Sequence, residues 1–184
     1  MDAPRRMGDH TLDALKGWRI NDSVCLDHRA KMDATWPSTI EALQGMVVRQ
    51  TSTGTILPGC DTTNSMPMFL MSNWFDKDVG NYGGDPATDF EAWVAAGPTG
   101  VMNMLVATGG YELMSTEIDH TAEGGYTIGA FLTSPVTGDN RGKLIVGTLG
   151  TNVICGRVSR VIGRNPQNKQ DATTFFTLYL PVYP

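Results

Sequence analysis

The chain carries few charges for its length and has no long apolar run. Charged residues make up 18% of its 184 residues, against about a quarter in an average soluble domain. No apolar run approaches the roughly 20 residues that a membrane-spanning helix requires, so we expect no membrane partner. The net charge of −5 disfavours a nucleic-acid partner, because a surface that binds phosphates must be basic.

Cysteine is scarce as well. Cys25, Cys60 and Cys155 are far apart and odd in number, which fits neither a disulfide framework nor a zinc site. We therefore expect buried, reduced thiols in a protein that is made in cytoplasm. The first residues are polar and lack the apolar stretch of a secretory signal peptide, which favours the same compartment.

The common motifs of catalysis and cofactor binding are missing. We find no phosphate-binding Gly-rich loop, dinucleotide fingerprint, zinc-protease histidine pair or nucleophile elbow. His120 stands near two glutamates and could act as a base or metal ligand, but an exposed turn histidine is the simpler interpretation. Asp76–Gly80 has the acidic start of a calcium loop, yet Asn81 and Ala87 occupy the positions that need Gly and Glu. We expect no enzyme activity, no cofactor and no metal.

Glycine and proline, by contrast, are abundant. The chain has 21 glycines and 10 prolines between short apolar runs, and this pattern predicts many turns and an all-β fold. Short strands with Gly-rich turns indicate a small β-barrel or sandwich. The predicted strands are Met46–Gln50, Met66–Met71, Val101–Ala107, Tyr111–Ile118, Ala130–Thr133, Lys143–Leu149, Val153–Ile162 and Thr174–Tyr183.

The last predicted strand has the clearest alternation of residue types. The face that we expect to be buried carries Phe176, Leu178, Leu180 and Val182. The face that we expect to be exposed carries Phe175, Thr177, Tyr179 and Tyr183. Pro181 predicts an edge strand, because a proline has no amide hydrogen to donate to a neighbouring strand.

A basic cluster lies on or after the preceding predicted strand. It consists of Arg157, Arg160 and Arg164. Arg157 and Arg160 have opposite parity, so we expect them on opposite faces. An ion pair with another subunit is the functional interpretation that fits an acidic chain, and such a pair contributes little where it is exposed.

Two segments depart from the strand-and-turn pattern. Residues 1–38 contain large apolar residues without a consistent period, and we interpret them as an N-terminal arm that orders against a neighbour, with a flexible tail as the alternative. The β-rich domain follows at residues 39–184. A Gly-, Asp- and Pro-rich insertion at residues 76–100 interrupts this domain, and long loops of this kind usually make contacts.

Aromatic residues in the arm, and in or beside the insertion, are the candidate binding residues. Large rings are costly to leave in water, and they are preferred anchors of protein interfaces. The alternative is that the insertion folds over its own domain. The candidates for an interface with another subunit are Trp18, Trp36, Trp74, Phe75, Tyr82, Phe90 and Trp93.

From Val101 onward the β-elements follow one another in a recognisable order. A buried strand precedes a Gly-aromatic-Glu strand, a Tyr-x-x-Gly turn, a Gly-Lys-Leu hairpin, a Gly-Arg-Val strand and a closing aliphatic strand. These elements begin at Val101, Gly110, Tyr126, Gly142, Gly156 and Phe176. Together with the strand at Gly45–Val48, this order resembles the capsid decoration (cement) proteins of tailed bacteriophages. The resemblance covers about two thirds of the chain, and neither the arm nor the insertion has a counterpart in it.

The resemblance implies a barrel-like domain that binds the outside of a capsid and stabilises the head. It implies a virion location, the major capsid protein as partner, and no catalytic residues. Such proteins often sit on symmetry axes, so we expect a homotrimer. The alternatives are another phage component, such as a tail, baseplate or head–tail connector protein, and a carbohydrate-binding adhesion domain. The adhesion domain would stack Trp74, Tyr82 and Trp93 on sugars.

Overall fold

The computed structural model describes residues 12–16, 31–62, 65–70, 112–164 and 171–182. Within these ranges ten strands form two sheets, and the one helix is a short 3₁₀ segment at His120–Gly125. The prediction of an all-β fold is therefore confirmed. In the described part of the chain no helix has the length and apolar character needed to cross a membrane.

The larger sheet has six strands and is antiparallel throughout its pairs. In chain order they are β1 Leu12–Lys16, β6 Glu112–Ser115, β7 Phe131–Thr133, β8 Ile145–Val146, β9 Ile154–Arg164 and β10 Asp171–Val182. Across the sheet they run in the order β1-β6-β10-β9-β7-β8.

The smaller sheet has four strands. They are β2 Lys31–Met32, β3 Val47–Gln50, β4 Thr55–Pro58 and β5 Pro67–Phe69, in the spatial order β2-β4-β3-β5. β2 pairs with β4 in parallel, and the other pairs are antiparallel. The strands described in the structure thus make two open sheets, and they do not close into a barrel.

Part of the predicted N-terminal arm lies inside these sheets. β1 pairs with β6 at the edge of the larger sheet, and β2 pairs with β4 in the smaller one. Met32 and Trp36 are buried in the hydrophobic core beside the smaller sheet. Residues 1–38 therefore include strands and core side chains of the domain that follows them.

A shared hydrophobic core joins the two sheets. Val47, Cys60 and Phe69 from the smaller sheet and the loop after β4 pack with the buried side chains of the larger sheet. The rings of Phe69 and Phe175 are 5.3 Å apart between centroids, at an interplanar angle of 40°. This tilted contact is a favourable geometry for two aromatic rings, and it binds β5 to β10.

The structure reverses the predicted faces of β10. Phe175 is fully buried against Phe69, whereas Phe176 is 49% exposed. The alternation itself was predicted correctly, but a phenylalanine begins each face, so apolar character could not tell which face points inward. Gly156 on β9 leaves the room that Phe175 needs, since a Cβ there would lie 2.9 Å from the Phe175 ring.

The prediction that β10 is an edge strand is also wrong. β10 lies between β6 and β9. Among the described residues it pairs with β6 over Thr173–Phe176, and Pro181 lies beyond that stretch. The missing amide hydrogen therefore does not interrupt these described pairs, and the proline is compatible with a central strand.

The two sheets come closest at Gly59, directly after β4. Gly59 has a φ of +80°, and a Cβ at this position would lie 2.0 Å from the carbonyl oxygen of Pro135. The amides of Cys60 and Asp61 both donate to the carbonyl oxygen of Ser134, at 2.9 and 3.0 Å. Backbone therefore packs directly on backbone at this junction, and only a glycine fits.

Substitution of Gly59 tests the junction. Gly59→Ala should lower the free energy of unfolding by at least about 3 kcal/mol, because backbone strain and a steric clash add. Gly138→Ala is the matched control, since Gly138 has a φ of +77° but no atom within 4 Å of its added Cβ. It should lose only about 1 kcal/mol from strain. Equal losses of unfolding free energy in Gly59→Ala and Gly138→Ala, measured by urea denaturation, would show that the close approach at Gly59 is not needed.

Tyr126 fixes the segment after the 3₁₀ helix to the chain before β8. Its hydroxyl donates to the carbonyl oxygen of Leu144 at 2.7 Å and accepts from the amide of Asp119 at 3.0 Å. The side chain is buried in the shared core. Burial raises the pKa of Tyr126 to about 12, because a phenolate would lose its hydration there.

The raised pKa of Tyr126 predicts a loss of stability in alkali. The folded state holds the phenolic proton more tightly than the unfolded chain. The contribution of Tyr126 to the free energy of unfolding is therefore complete below pH 10 and is lost as the pH rises to about 12. Urea denaturation should therefore show that the free energy of unfolding falls more between pH 9 and pH 11 in the wild type than in Tyr126→Phe. An identical fall in both proteins would contradict the assignment.

Candidate interaction surface

Most of the aromatic residues that the sequence singles out lie outside the described part of the chain. These are Trp18, Trp74, Phe75, Tyr82, Phe90 and Trp93, and the insertion at residues 76–100 lies outside it too. Trp36 is described and is 2% exposed. Its indole nitrogen donates to the carbonyl oxygen of Ile40 at 2.6 Å, so its ring packs in the core beside the smaller sheet.

A β-bulge in β9 brings the two described arginines of the basic cluster together. Arg157 pairs with Phe176 and Arg160 pairs with Thr174. Between these two pairs β9 therefore advances by three residues and β10 by two, and the extra residue in β9 is Ser159. Such a bulge puts residues of opposite parity on one face. The prediction that Arg157 and Arg160 lie on opposite faces is wrong for this reason.

The resulting surface lies on one side of the larger sheet, and we call it the outer face. Arg157 is opposite Phe131 on β7 and opposite Phe176 on β10, and Phe176 is opposite Glu112 on β6. Residues that pair across strands present their side chains on the same side. The outer face thus comprises Glu112, Phe131, Arg157, Arg160 and Phe176.

Arg157 is held in place by the sheet, yet its charge is not neutralised there. Its guanidinium carbon lies 5.4 Å from the centre of the Phe131 ring, a cation–π distance. Its Nε donates to the carbonyl oxygen of Gly129 at 2.9 Å. Among the described residues no carboxylate pairs with it. An exposed, oriented cation next to an aromatic ring is therefore free to bind an anionic group.

Arg160 has a different role, because it covers a buried carboxylate. Glu112 is 4% exposed, and the side chain of Arg160 is 50% exposed. The Glu112 carboxylate accepts from Arg160 Nε at 3.1 Å and Nη2 at 3.2 Å, and from the Ser159 hydroxyl at 2.9 Å. The bulge places Ser159 and Arg160 at one carboxylate, and these hydrogen bonds offset the cost of burying it.

Phe176 is the apolar part of the outer face. It is 49% exposed and pairs with Arg157 across β10 and β9. Aromatic side chains and arginines are the residue types enriched in the centres of protein interfaces. The outer face therefore has the composition of a surface that binds a protein.

The histidine that the sequence offered as a base or metal ligand lies elsewhere. His120 begins the 3₁₀ helix, its side chain is 49% exposed, and its Nδ1 is 2.9 Å from the Glu123 carboxylate. This placement agrees with an exposed turn histidine. Within the described ranges no three His, Cys, Asp or Glu side chains come together as metal ligands would.

Sequence reasoning missed the outer face for two reasons. Phe176 was assigned to the buried side of its strand, and the bulge at Ser159 was not recognised. Glycines inside a strand can mark irregular pairing, and Gly156 and Gly163 both lie in β9. The register does shift between Gly163 and Arg160. That signal predicts irregularity but not which residue is extra.

No protein-family model matches the chain, and no curated protein or solved structure is significantly similar to it.

The two arginines should differ sharply in their effect on stability. Arg160→Ala removes two hydrogen bonds from a cation to the buried Glu112 carboxylate, and should lower the free energy of unfolding by about 2 kcal/mol. Arg157→Ala removes an exposed side chain, and should cost less than about 1 kcal/mol. Adding Glu112→Gln to Arg160→Ala should restore part of the loss. Urea denaturation measures the free energy of unfolding of all three variants. A larger loss in Arg157→Ala than in Arg160→Ala would refute the different roles assigned to the two arginines.

Proposed function

We propose that this chain is a structural protein of a virion, a capsid decoration protein that binds the outer capsid surface and stabilises the head. The observation that carries the proposal is the order of its β-elements. Strands β3 and β6 to β10 occupy the sequence stretches in which the chain resembles such proteins. An all-β domain with two sheets on a shared core is compatible with that resemblance.

The outer face is the surface that we assign to capsid binding. Cement proteins must gain affinity from surface contacts, and a standard interface buries about 1,600 Å² in total. Phe176 would supply apolar area and Arg157 a directed charge. Each contact can be modest, because repetition around a symmetric shell adds avidity.

The structure also changes how the arm hypothesis has to be tested. Removing residues 1–38 would remove β1, β2 and the core side chains of Met32 and Trp36. A loss of capsid binding would then reflect unfolding as well as a missing arm. A truncation that ends before Leu12, the first residue of β1, keeps all the described strands and tests the part of the arm that precedes them.

The proposal predicts a high copy number and a measurable effect on capsids. Purified particles should contain this chain in an amount close to that of the major capsid protein. Adding the full chain to particles that lack it should raise the temperature at which they release DNA. A few copies at one vertex would indicate a connector or tail component. Absence from particles would overturn the virion proposal.

Variants of the outer face extend the same experiment. Phe176→Ser and Arg157→Glu should each weaken capsid binding at least tenfold, a loss of about 1.4 kcal/mol. Leu149→Ser is the matched control, because Leu149 is 51% exposed, close to the 49% of Phe176, and lies in a turn. It should bind as the wild type does. Unchanged binding of both outer-face variants would mean that another surface docks.

A further inference from the structure

Two of the cysteines are buried side by side between the two sheets. Cys60 follows β4 and Cys155 lies on β9, and they are 0% and 2% exposed. Both belong to the core that the two sheets share. The Cys60 thiol is close enough to the Cys155 thiol to raise its pKa. Two thiols that are distant in sequence thus meet at the junction of the sheets.

Neighbouring residues hold these two thiols in place. The carboxylate of Asp61 accepts from the amide of Val153 at 3.0 Å and from the side-chain amide of Asn152 at 2.8 Å. The Cys60 sulfur lies 4.0 Å from the carbonyl oxygen of Val153, and the Cys155 sulfur 3.3 Å from that of Leu132. The loop after β4 is therefore tied to the start of β9 on both sides of the thiol pair.

We propose that Cys60 and Cys155 are a modification site, which a small-molecule disulfide such as oxidised glutathione converts into an intramolecular disulfide. One cysteine thiolate attacks the oxidant, forms a mixed disulfide and releases one glutathione thiolate. The second cysteine thiolate then attacks the mixed disulfide at the protein sulfur and releases the second glutathione. The two protein thiols lose two electrons and two protons, and the oxidant becomes two molecules of reduced glutathione.

The fold sets the order of these steps. Cys60 lies in the loop after β4, so exposing it requires the hydrogen bonds of that loop to Ser134 and Val153 to break but no pairing between strands. Cys155 lies in β9, which pairs with β10 on one side and β7 on the other. Cys60 therefore reacts first with the oxidant, and Cys155 closes the disulfide as the loop returns.

The same environment keeps the pair reduced until the surroundings become oxidising. The neighbouring Cys60 thiol and burial raise the pKa of the Cys155 thiol well above its ordinary value, and a protonated thiol is a poor nucleophile. Reducing cytoplasm then maintains two thiols, and an extracellular medium favours the disulfide. The inference does not depend on the proposed capsid role.

The test uses the full chain in a Cys25→Ser background, so that only two thiols can react. The protein is treated with oxidised glutathione in two ways, as the folded protein and during refolding in a glutathione buffer. Mass spectrometry of a non-reduced digest should find the peptide pair joined through Cys60 and Cys155, and an intact mass lower by two hydrogens. The melting temperature should rise by on the order of 10 °C, and a reductant should reverse the change.

Single variants separate the two steps. In Cys155→Ser, Cys60 should stop at the mixed disulfide with glutathione. In Cys60→Ser, Cys155 should remain a thiol as long as the protein is folded. Neither variant should show the rise in melting temperature.

Two results would overturn the inference. The first is that both thiols of the background protein remain free after both treatments. The second is a disulfide that leaves the melting temperature unchanged or lower, which would mean that the folded junction does not accommodate it.

Discussion

The rest of this structure depends on the backbone contact at Gly59. A residue with a side chain there would collide with the carbonyl oxygen of Pro135, and the two sheets would be forced apart. Arg49 supports the same turn from β3, since its guanidinium donates to the carbonyl oxygens of Pro58 and Gly59. With the sheets in contact, Phe69 reaches Phe175 and the thiols of Cys60 and Cys155 meet. The shared core and the thiol pair are therefore both consequences of one close approach.

Burying Phe175 also determines what β10 presents to solvent. Once Phe175 points into the core, Phe176 must point outward, and the bulge at Ser159 brings Arg157 and Arg160 to the same side. The two arginines then have different roles. Arg160 neutralises the buried Glu112, while Arg157 lies over the Phe131 ring with its charge available. The surface that we propose as the binding face therefore arises from an irregular strand pair.

The sequence predicts the elements of this fold better than their contacts. Glycine and proline content, with alternation in runs such as Met46–Gln50, was enough to predict an all-β fold, because turns and period-two patterns are local properties. Three features depend on partners distant in the sequence: which face of β10 points inward, the bulge at Ser159, and the place of Met32 and Trp36 in the core. Of the candidate site residues, Trp36 fills the core and the others lie outside the described residues. Phe176 and Arg157 became candidates only through strand register.

The central claim is that this chain binds the outside of a capsid through its outer face. A particle reconstruction that resolves β-strands tests it most directly. The account predicts density for both sheets on the capsid exterior, with Phe176 and Arg157 against the major capsid protein. Density in which the outer face points to solvent, or particles with no density for this chain, would contradict it.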